Sequence, residues 1–291
     1  LGPRRVGRRA RGAGMSPANR LAWTIARHVQ GLPAGTAFTA TAAATLGVML
    51  AQRLAGSRLC LWGHGGAYDP AGILSLHARP WLFNRRPRAR VTLPGVFETQ
   101  SEPHVLLATP AQIDGAANAN LSGIGRPGSP KVAFGGTRGL PDARTVFFVL
   151  PTHTSRQLVD RVDFVSTCAA TREREALLFT ELCVMRWSHE TRRWELTEVA
   201  PGCGIDELRV RTGFACGEPA QVTPMAEPPE AALALLAQLD PLGLRELDFV
   251  ADRTVLLDAF ERIYAAEAEL AGACRPARPL DPNRQHEGTG P

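Results

Sequence analysis

Three stretches of this sequence bring together residue types that could do chemistry. The first is Gly63-His64-Gly65-Gly66, directly after the apolar run 58–62. A histidine in a glycine loop can serve as a general base, and glycine amides can approach an oxyanion closely. Hydrolytic use of such a loop needs a serine on a G-x-S-x-G turn, and this sequence has none. The second stretch is Gly123, Gly125 and Gly128, spaced G-x-G-x-x-G. A dinucleotide site needs a strand before that pattern and a helix opening within it. Pro127 and Pro130 deny it the helix, so a loop is expected. The third is 110–167, with Gln112, Asp114, Asn118 and Asn120, then Phe134-Gly135-Gly136, Asp142 and Asp163. Amides and glycines clustered at strand ends can bring N–H groups against a thioester oxygen or a phosphate. They are also ordinary turn formers. The residues alone leave both readings open.

The elements that must hold these residues can be read from pattern. Ser16 can cap a helix, Pro17 suits its first turn, Leu21, Ile25 and Val29 recur every four residues, and Gly31 stops it. Residues 36–39 suit a short strand, and 42–54 an alanine-rich helix ended by Gly56. Apolar runs at 58–62, 105–108, 145–150 and 162–165 suit strands covered on both faces. Residues 180–187 and 194–199 flank a polar turn and predict a hairpin. Residues 231–239 and 245–270 are expected to be helical. Strands alternating with helices predict an α/β domain with an open, mainly parallel sheet, flanking helices and a C-terminal helical extension. The expected organisation is an Arg-rich disordered tail over 1–14, one domain over 15–248, a helix over 249–273 and a second tail over 274–291. Met15 is a candidate start.

The net charge of +5 suggests a nucleic-acid or membrane partner only until it is located. Arg4, Arg5, Arg8, Arg9 and Arg11 carry it, and the rest of the chain is formally neutral. The two Arg pairs lack the apolar segment of an export signal. Lys131 is the only lysine among 33 basic residues, a usage that points to a GC-rich coding genome. No apolar run reaches the roughly 18 residues of a membrane span. Six cysteines without C-x-x-C or a Cys/His cluster suit reduced cytoplasmic thiols and no metal. Cys60, Cys168 and Cys183 are expected in or beside strands as inert core thiols, and Cys203 and Cys216 in turns. Beyond His64, the histidines (His153 among them) show no pairing in sequence that suggests catalysis.

The run Thr109-Pro110-Ala111-Gln112-Ile113-Asp114-Gly115-Ala116-Ala117-Asn118-Ala119-Asn120 resembles the G-A-x-Q-V-D-x-x-G-N-x-N segment of class I CoA-transferase B subunits, of the glutaconate CoA-transferase type. Thr109 and Ala117 stand where that family has glycine, and Pro110 where it has alanine. Gly135-Gly136 with Asp142 is similar to its glycine loop, and 162–166 to its V-D-F-I-T strand. Residues 180–187, 196–204, Thr212-Gly213-Phe214 and 240–247 come in the family's order, with Ala200 in place of a histidine. The resemblance runs over about 16–248.

That resemblance implies the CoA-transferase fold and a partner A (alpha) subunit, in a heterodimer or heterotetramer with the active site between the two. It implies coenzyme A bound as an acyl-CoA substrate. In ordinary members a glutamate attacks the thioester. Here the corresponding loop is His64-Gly65-Gly66-Ala67, with Gly66 at the glutamate position. Asp69, the nearest other acid, is one carbon shorter and out of register. Loss of the carboxylate points to acyl transfer or hydrolysis, as in the related steroid-ring-opening hydrolases, rather than CoA exchange. His64 would then be a base or orienting group, against the plainer reading of a loop residue bonded to backbone. Gln112 and Asn118 would orient the acyl group or oxyanion, and Gly65, Gly66, Gly135 and Gly136 would bring backbone close to the cofactor. A non-catalytic scaffold subunit, or a conventional transferase with its nucleophile on the partner, fits the missing glutamate as well. The arginine tail as a nucleic-acid binder has no motif behind it.

Overall fold

In a computed structural model, the described residues are 16–63, 67–76, 82–90, 105–126, 128–134, 143–171, 174–217 and 221–274. The first helix, α1 (Pro17–Gln30), is capped by Ser16, whose hydroxyl accepts the Asn19 N–H at 3.1 Å. Helix α2 (Ala42–Ala55) is capped by Thr41 and closed by Gly56 in the left-handed region, at φ 65°. Leu21, Ile25 and Val29 are fully buried. Gly47 lets the two helices close up, since a Cβ there would sit 2.5 Å from Ile25 Cγ2.

Among the described residues, ten strands form the main sheet. In chain order they are β1 (Gly35–Thr39), β2 (Leu59–Gly63), β3 (Ala67–Tyr68), β4 (Ala89–Arg90) and β5 (Val105–Ala108), and later β10 (Thr145–Val149), β12 (Glu175–Phe179), β13 (Cys183–Ser188), β14 (Arg193–Val199) and β15 (Thr223–Pro224). Their spatial order is β15-β14-β13-β12-β10-β5-β1-β2-β3-β4. The central five, from β12 to β2, are parallel. The β12–β13, β13–β14, β2–β3 and β3–β4 pairs are antiparallel. The chain steps from β1 to β2, returns to the other side of β1 at β5, then moves outward through β10 and β12. That reversal puts a topological switch point between β1 and β5, and α/β sheets bind ligands at the carboxyl ends of strands beside such a point.

Between β5 and β10 lie β6 (Gln112–Ile113), β7 (Asn118–Asn120), β8 (Gly123–Arg126) and β9 (Ser129–Ala133). β6 and β7 join β11 (Thr167–Cys168) in a three-stranded sheet, and β8 and β9 form a hairpin. Residues 123–126 of the expected loop are therefore a strand. Gly128 takes φ 85°, which the turn requires. The expected strand over 162–165 is irregular backbone instead. Its register is taken by polar anchors: Val162 and Asp163 donate to side chains of the 112–114 segment.

Three further helices among the described residues are α3 (Ile205–Arg211), α4 (Glu230–Leu239) and α5 (Arg253–Cys274). The expected single helix over 245–270 is a 3-10 segment, Leu244–Phe249, followed by α5. Asp240 anchors the start of the 3-10 segment, accepting from the Leu244 and Arg245 amides and pairing with the Arg245 guanidinium at 2.7 Å, and Asp252 restarts the helix by accepting the Thr254 and Val255 amides. The hairpin begins at Cys183, because Thr180 closes the preceding turn by accepting the Cys183 N–H.

The central strands alternate strictly. Val105, Leu107, Phe147, Val149, Leu177 and Phe179 face a core covered by α1, α2 and α4. Leu106, Ala108, Val146, Phe148, Ala176 and Leu178 face a second core, with Trp194 and Leu208, on the opposite side.

Candidate functional site at the carboxyl ends of the parallel strands

β1 ends at Thr39, β2 at Gly63, β5 at Ala108, β10 at Val149 and β12 at Phe179, so one rim collects the segments that come after them. The segment after β5 carries Gln112 and Asn118. Asp114 organises it. One carboxylate oxygen accepts the amides of Ala116 and Asn118 at 3.0 and 3.1 Å. The other accepts Asn118 Nδ2 at 3.0 Å and the Val162 amide at 3.4 Å. The Asp114 carbonyl accepts Trp194 Nε1 at 3.0 Å. A short Asp side chain that closes a turn on its own backbone is a strong local device.

Gln112 is buried, and its side-chain carbonyl is anchored twice, by Asn120 Nδ2 at 2.8 Å and by the Asp163 amide at 3.0 Å. This fixes the amide flip. The NH2 of Gln112 is left as the outward donor, with no partner among the described residues. Asn120 Oδ1 in turn accepts the Ser122 and Gly123 amides. The 110–120 segment thus combines both sequence readings. It is a hydrogen-bonded turn, and it presents an oriented amide at the rim.

Two departures from the resembling family's pattern have physical consequences here. Ala117 takes φ 60°, a left-handed position that suits glycine and costs an alanine about 1 kcal/mol. Thr109, at the end of β5, has a buried hydroxyl oxygen without a hydrogen-bond partner among the described residues.

His64, Gly65, Gly66, Gly135, Gly136 and Asp142 lie outside the described residues. Asp69 is placed clearly. It sits at φ 46°, and its carboxylate accepts the Leu61 amide at 2.7 Å and Gln52 Nε2 at 2.8 Å. These bonds hold it beside the body of β2, away from that strand's carboxyl end, so Asp69 is a structural acid of the β2–β3 pair. Burial, reinforced by a hydrogen bond with Asp69, pushes the Cys60 thiol up to about 12. Burial likewise raises Cys183, and Cys216 to about 11. These thiols stay protonated and unreactive, and the five described cysteines are free.

Sequence reasoning missed His153. It comes just after β10, is 1% exposed, and bonds through both ring nitrogens, Nδ1 to Thr180 Oγ1 at 3.0 Å and Nε2 to Thr212 Oγ1 at 2.9 Å. Burial, helped by the Arg211 charge, holds it down at about 4. The Glu181 carboxyl lies against the His153 and Glu181 backbone N–H groups. Burial raises it above the ordinary carboxylate range, against those hydrogen bonds and the Arg211 charge. No sequence spacing links 153, 180 and 212. Only the packing of three separate rim segments brings them together.

Among the described residues no group of three His, Cys, Asp or Glu side chains could hold a metal, and no helix is long and apolar enough to cross a membrane. Glu198, buried on β14, receives His28 Nε2 at 2.8 Å and Arg27 Nη1 at 3.2 Å. Burial pushes it up, but the hydrogen bond and charge of His28 with those of Arg27 outweigh it, and Glu198 stays below the usual carboxylate range. These contacts pin the end of α1 to the sheet, level with Phe179, whose ring His28 meets edge-on.

Residues 101–211 match the family model described as Coenzyme A transferase. The chain is 27% identical to the B subunit of 3-oxoadipate CoA-transferase from Pseudomonas knackmussii, over 45% of this chain and 56% of that protein. It therefore spans about half the length of that curated relative. Among solved structures, IpdAB of Rhodococcus jostii RHA1 superposes with a TM-score of 0.70 at 22% identity, over 80% of this chain and 98% of that one. The AibA/AibB decarboxylase gives 0.69 at 21% identity, over 79% and 97%. Glutaconate coenzyme A-transferase from Acidaminococcus fermentans gives 0.63 at 18%, over 79% and 97%. These structures share the fold: a large central sheet, parallel at its core, with flanking helices.

Proposed function

We propose a function from the premise that this chain belongs with the B-type (beta) subunits of the class I CoA-transferases, as the three comparisons support. In this reading it works with an alpha subunit, as a heterodimer or heterotetramer in the cytoplasm, on an acyl-CoA or related acyl thioester. The observation that carries the reading is Gln112. Its carbonyl is tied to Asn120 and Asp163, so its NH2 is a pre-oriented donor at the carboxyl-end rim. A fixed donor aimed where charge develops stabilises a thioester oxyanion without reorganising. Asn118, held by Asp114, is the second orienting amide. His64 is the candidate base, and Gly65, Gly66, Gly135 and Gly136 supply backbone close to the CoA thioester. With Gly66 at the family's glutamate position and Asp69 engaged by β2, no carboxylate of the early loop is offered as nucleophile. Acyl transfer or hydrolysis therefore fits better than CoA exchange through a glutamyl thioester on this chain.

The reading is tested in the reconstituted pair. Gln112→Ala should lower kcat by about a hundredfold, the scale of losing one oxyanion donor. A glutamyl-CoA adduct trapped on this chain would overturn the altered chemistry. A second reading, a scaffold subunit, is favoured by the inward bonding of Asp114 and Asn118. Full turnover in an intact complex carrying His64→Ala and Gln112→Ala would select it.

A further inference from the structure

The bonds of His153 have a direction. Thr212 Oγ1 donates to the Leu208 carbonyl at 2.7 Å, in the last turn of α3. Its one proton is used there, so toward His153 it can only accept. The Nε2 of His153 therefore carries the hydrogen. In a neutral ring Nδ1 is then the acceptor, facing the Thr180 hydroxyl at 3.0 Å and the Cys183 thiol at 3.5 Å. The Thr180 hydroxyl proton is shared between Nδ1 and the Cys183 carbonyl at 3.3 Å, while Thr180 Oγ1 accepts the Leu182 and Cys183 amides. One polar chain runs from the turn after β12, through His153, to the end of α3.

The residues just beyond Thr212 touch the Gln112 segment. The Gly213 amide donates to the Leu158 carbonyl at 2.7 Å. A Cβ on Gly213 would meet that carbonyl at 2.6 Å, so no side chain fits the crossing. Phe214 packs on Gly115, where an added Cβ would lie 2.9 Å from Phe214 Cβ. From the other side, the Ile113 amide donates to the Gln157 carbonyl and the Val159 amide to the Ile113 carbonyl. The turn at 113–116 is thus clamped between the loop that His153 begins and the element that Thr212 begins.

We propose that His153 is a positioning residue: through Thr212 it sets Phe214 against Gly115 and so fixes the segment that carries Gln112 and Asn118. Its catalytic consequence rests on the proposed thioester reading, and its structural consequence does not.

The test separates the two ring nitrogens. His153→Gln places an amide at the Nε2 position and can still donate to Thr212. His153→Asn reaches only the Nδ1 position. Thr212→Val removes the acceptor at constant shape, and Thr212→Ser keeps it. In the full chain, hydrogen exchange over 113–118 should quicken about tenfold in His153→Asn and Thr212→Val, the scale of one lost buried hydrogen bond. The Gln and Ser variants should stay near wild type, and β10 and β12 should remain protected in all four. Equal loosening of 113–118 and the central strands would make His153 a mere core filler, and an unchanged Thr212→Val would break the proposed link. Should the His153 variants fail to fold, the Thr212 pair decides alone. In the reconstituted pair, with butyryl-CoA as probe, His153→Asn should lower kcat and leave KM unchanged. Normal turnover in His153→Asn, alongside a crippled Gln112→Ala, would overturn the positioning role. Full activity in Gln112→Ala would sink the thioester reading while the exchange pattern stood.

Discussion

The two faces of the central sheet are built on different physics. On one face, α1, α2 and α4 lay apolar stripes over Phe147, Val149, Leu177 and Phe179, and the contacts are dispersion and exclusion of water. On the other, irregular segments and short strands cover Val146, Phe148 and Leu178. Such segments cannot pair their backbone groups by helix or long ladder, so buried side chains do it: Asp114, Asn120, Gln112 and Trp194 Nε1. An apolar face tolerates changes of shape gradually. A polar face loses a whole set of partners when one hub is removed. Every described site residue lies with the second face.

Phe147 and Phe148 give the sharpest test, since neighbours on one strand point to opposite faces. Each should cost about 4 kcal/mol as alanine in denaturant unfolding. Only Phe148→Ala, which loses its edge contact with Trp194, should also quicken exchange over 113–118. If Phe147→Ala does the same, the faces are not independent. Next in size, Asp114→Ala should cost about 3 kcal/mol, because it leaves amides of 116, 118 and 162 without an acceptor. It should also abolish turnover of the pair.

Acid should discriminate the faces without mutation. In the unfolded chain His153 takes its proton near 6.5, and in the fold only near 4. The unfolded state binds more protons between those values, so stability is full above pH 6.5 and falls by about 3 kcal/mol as pH drops to 4. The raised Glu181 acts in the opposite sense, since protonation relieves it. With Arg211 and Glu207 it is the charged company of the histidine. His153→Gln should flatten most of that loss in melts run from pH 7 to 4. The smallest effect belongs to Asp69→Asn. It should cost about 1 kcal/mol through weaker hydrogen bonds to Leu61 and Gln52, and turnover should not change. A large loss of turnover would restore Asp69 as a chemical group.

The helical face was readable from residue types. Ser16, Pro17 and Gly56 act within a turn of themselves, and the four-residue spacing of Leu21, Ile25 and Val29 is already an amphipathic stripe. The apolar runs at 105–108 and 145–150 announced strands buried on both sides. The same rule misled at 162–165, where apolar content mimics a strand while the Asp114 and Gln112 side chains hold the backbone open. It misled again at 123–128, where prolines that exclude a helix still admit a hairpin. At the site, Gln112 and Asn118 were legible as amides in a turn, but which end of each amide is free was not. His153 was invisible as a hub.

By itself, then, the sequence determined what acts over a few residues: caps, stripes, buried strands, the ordered set of family-like segments, and the restriction of net charge to the first fourteen positions. These depend on intrinsic propensity and periodicity, which travel with the residues. The tertiary structure alone decided the switch point between β1 and β5, the structural duty of Asp69, the orientation of Gln112, and the meeting of His153 with Thr180 and Thr212. Those arise where segments distant in sequence must satisfy one another's buried donors and acceptors, a condition that exists only once the sheet has brought them to one rim.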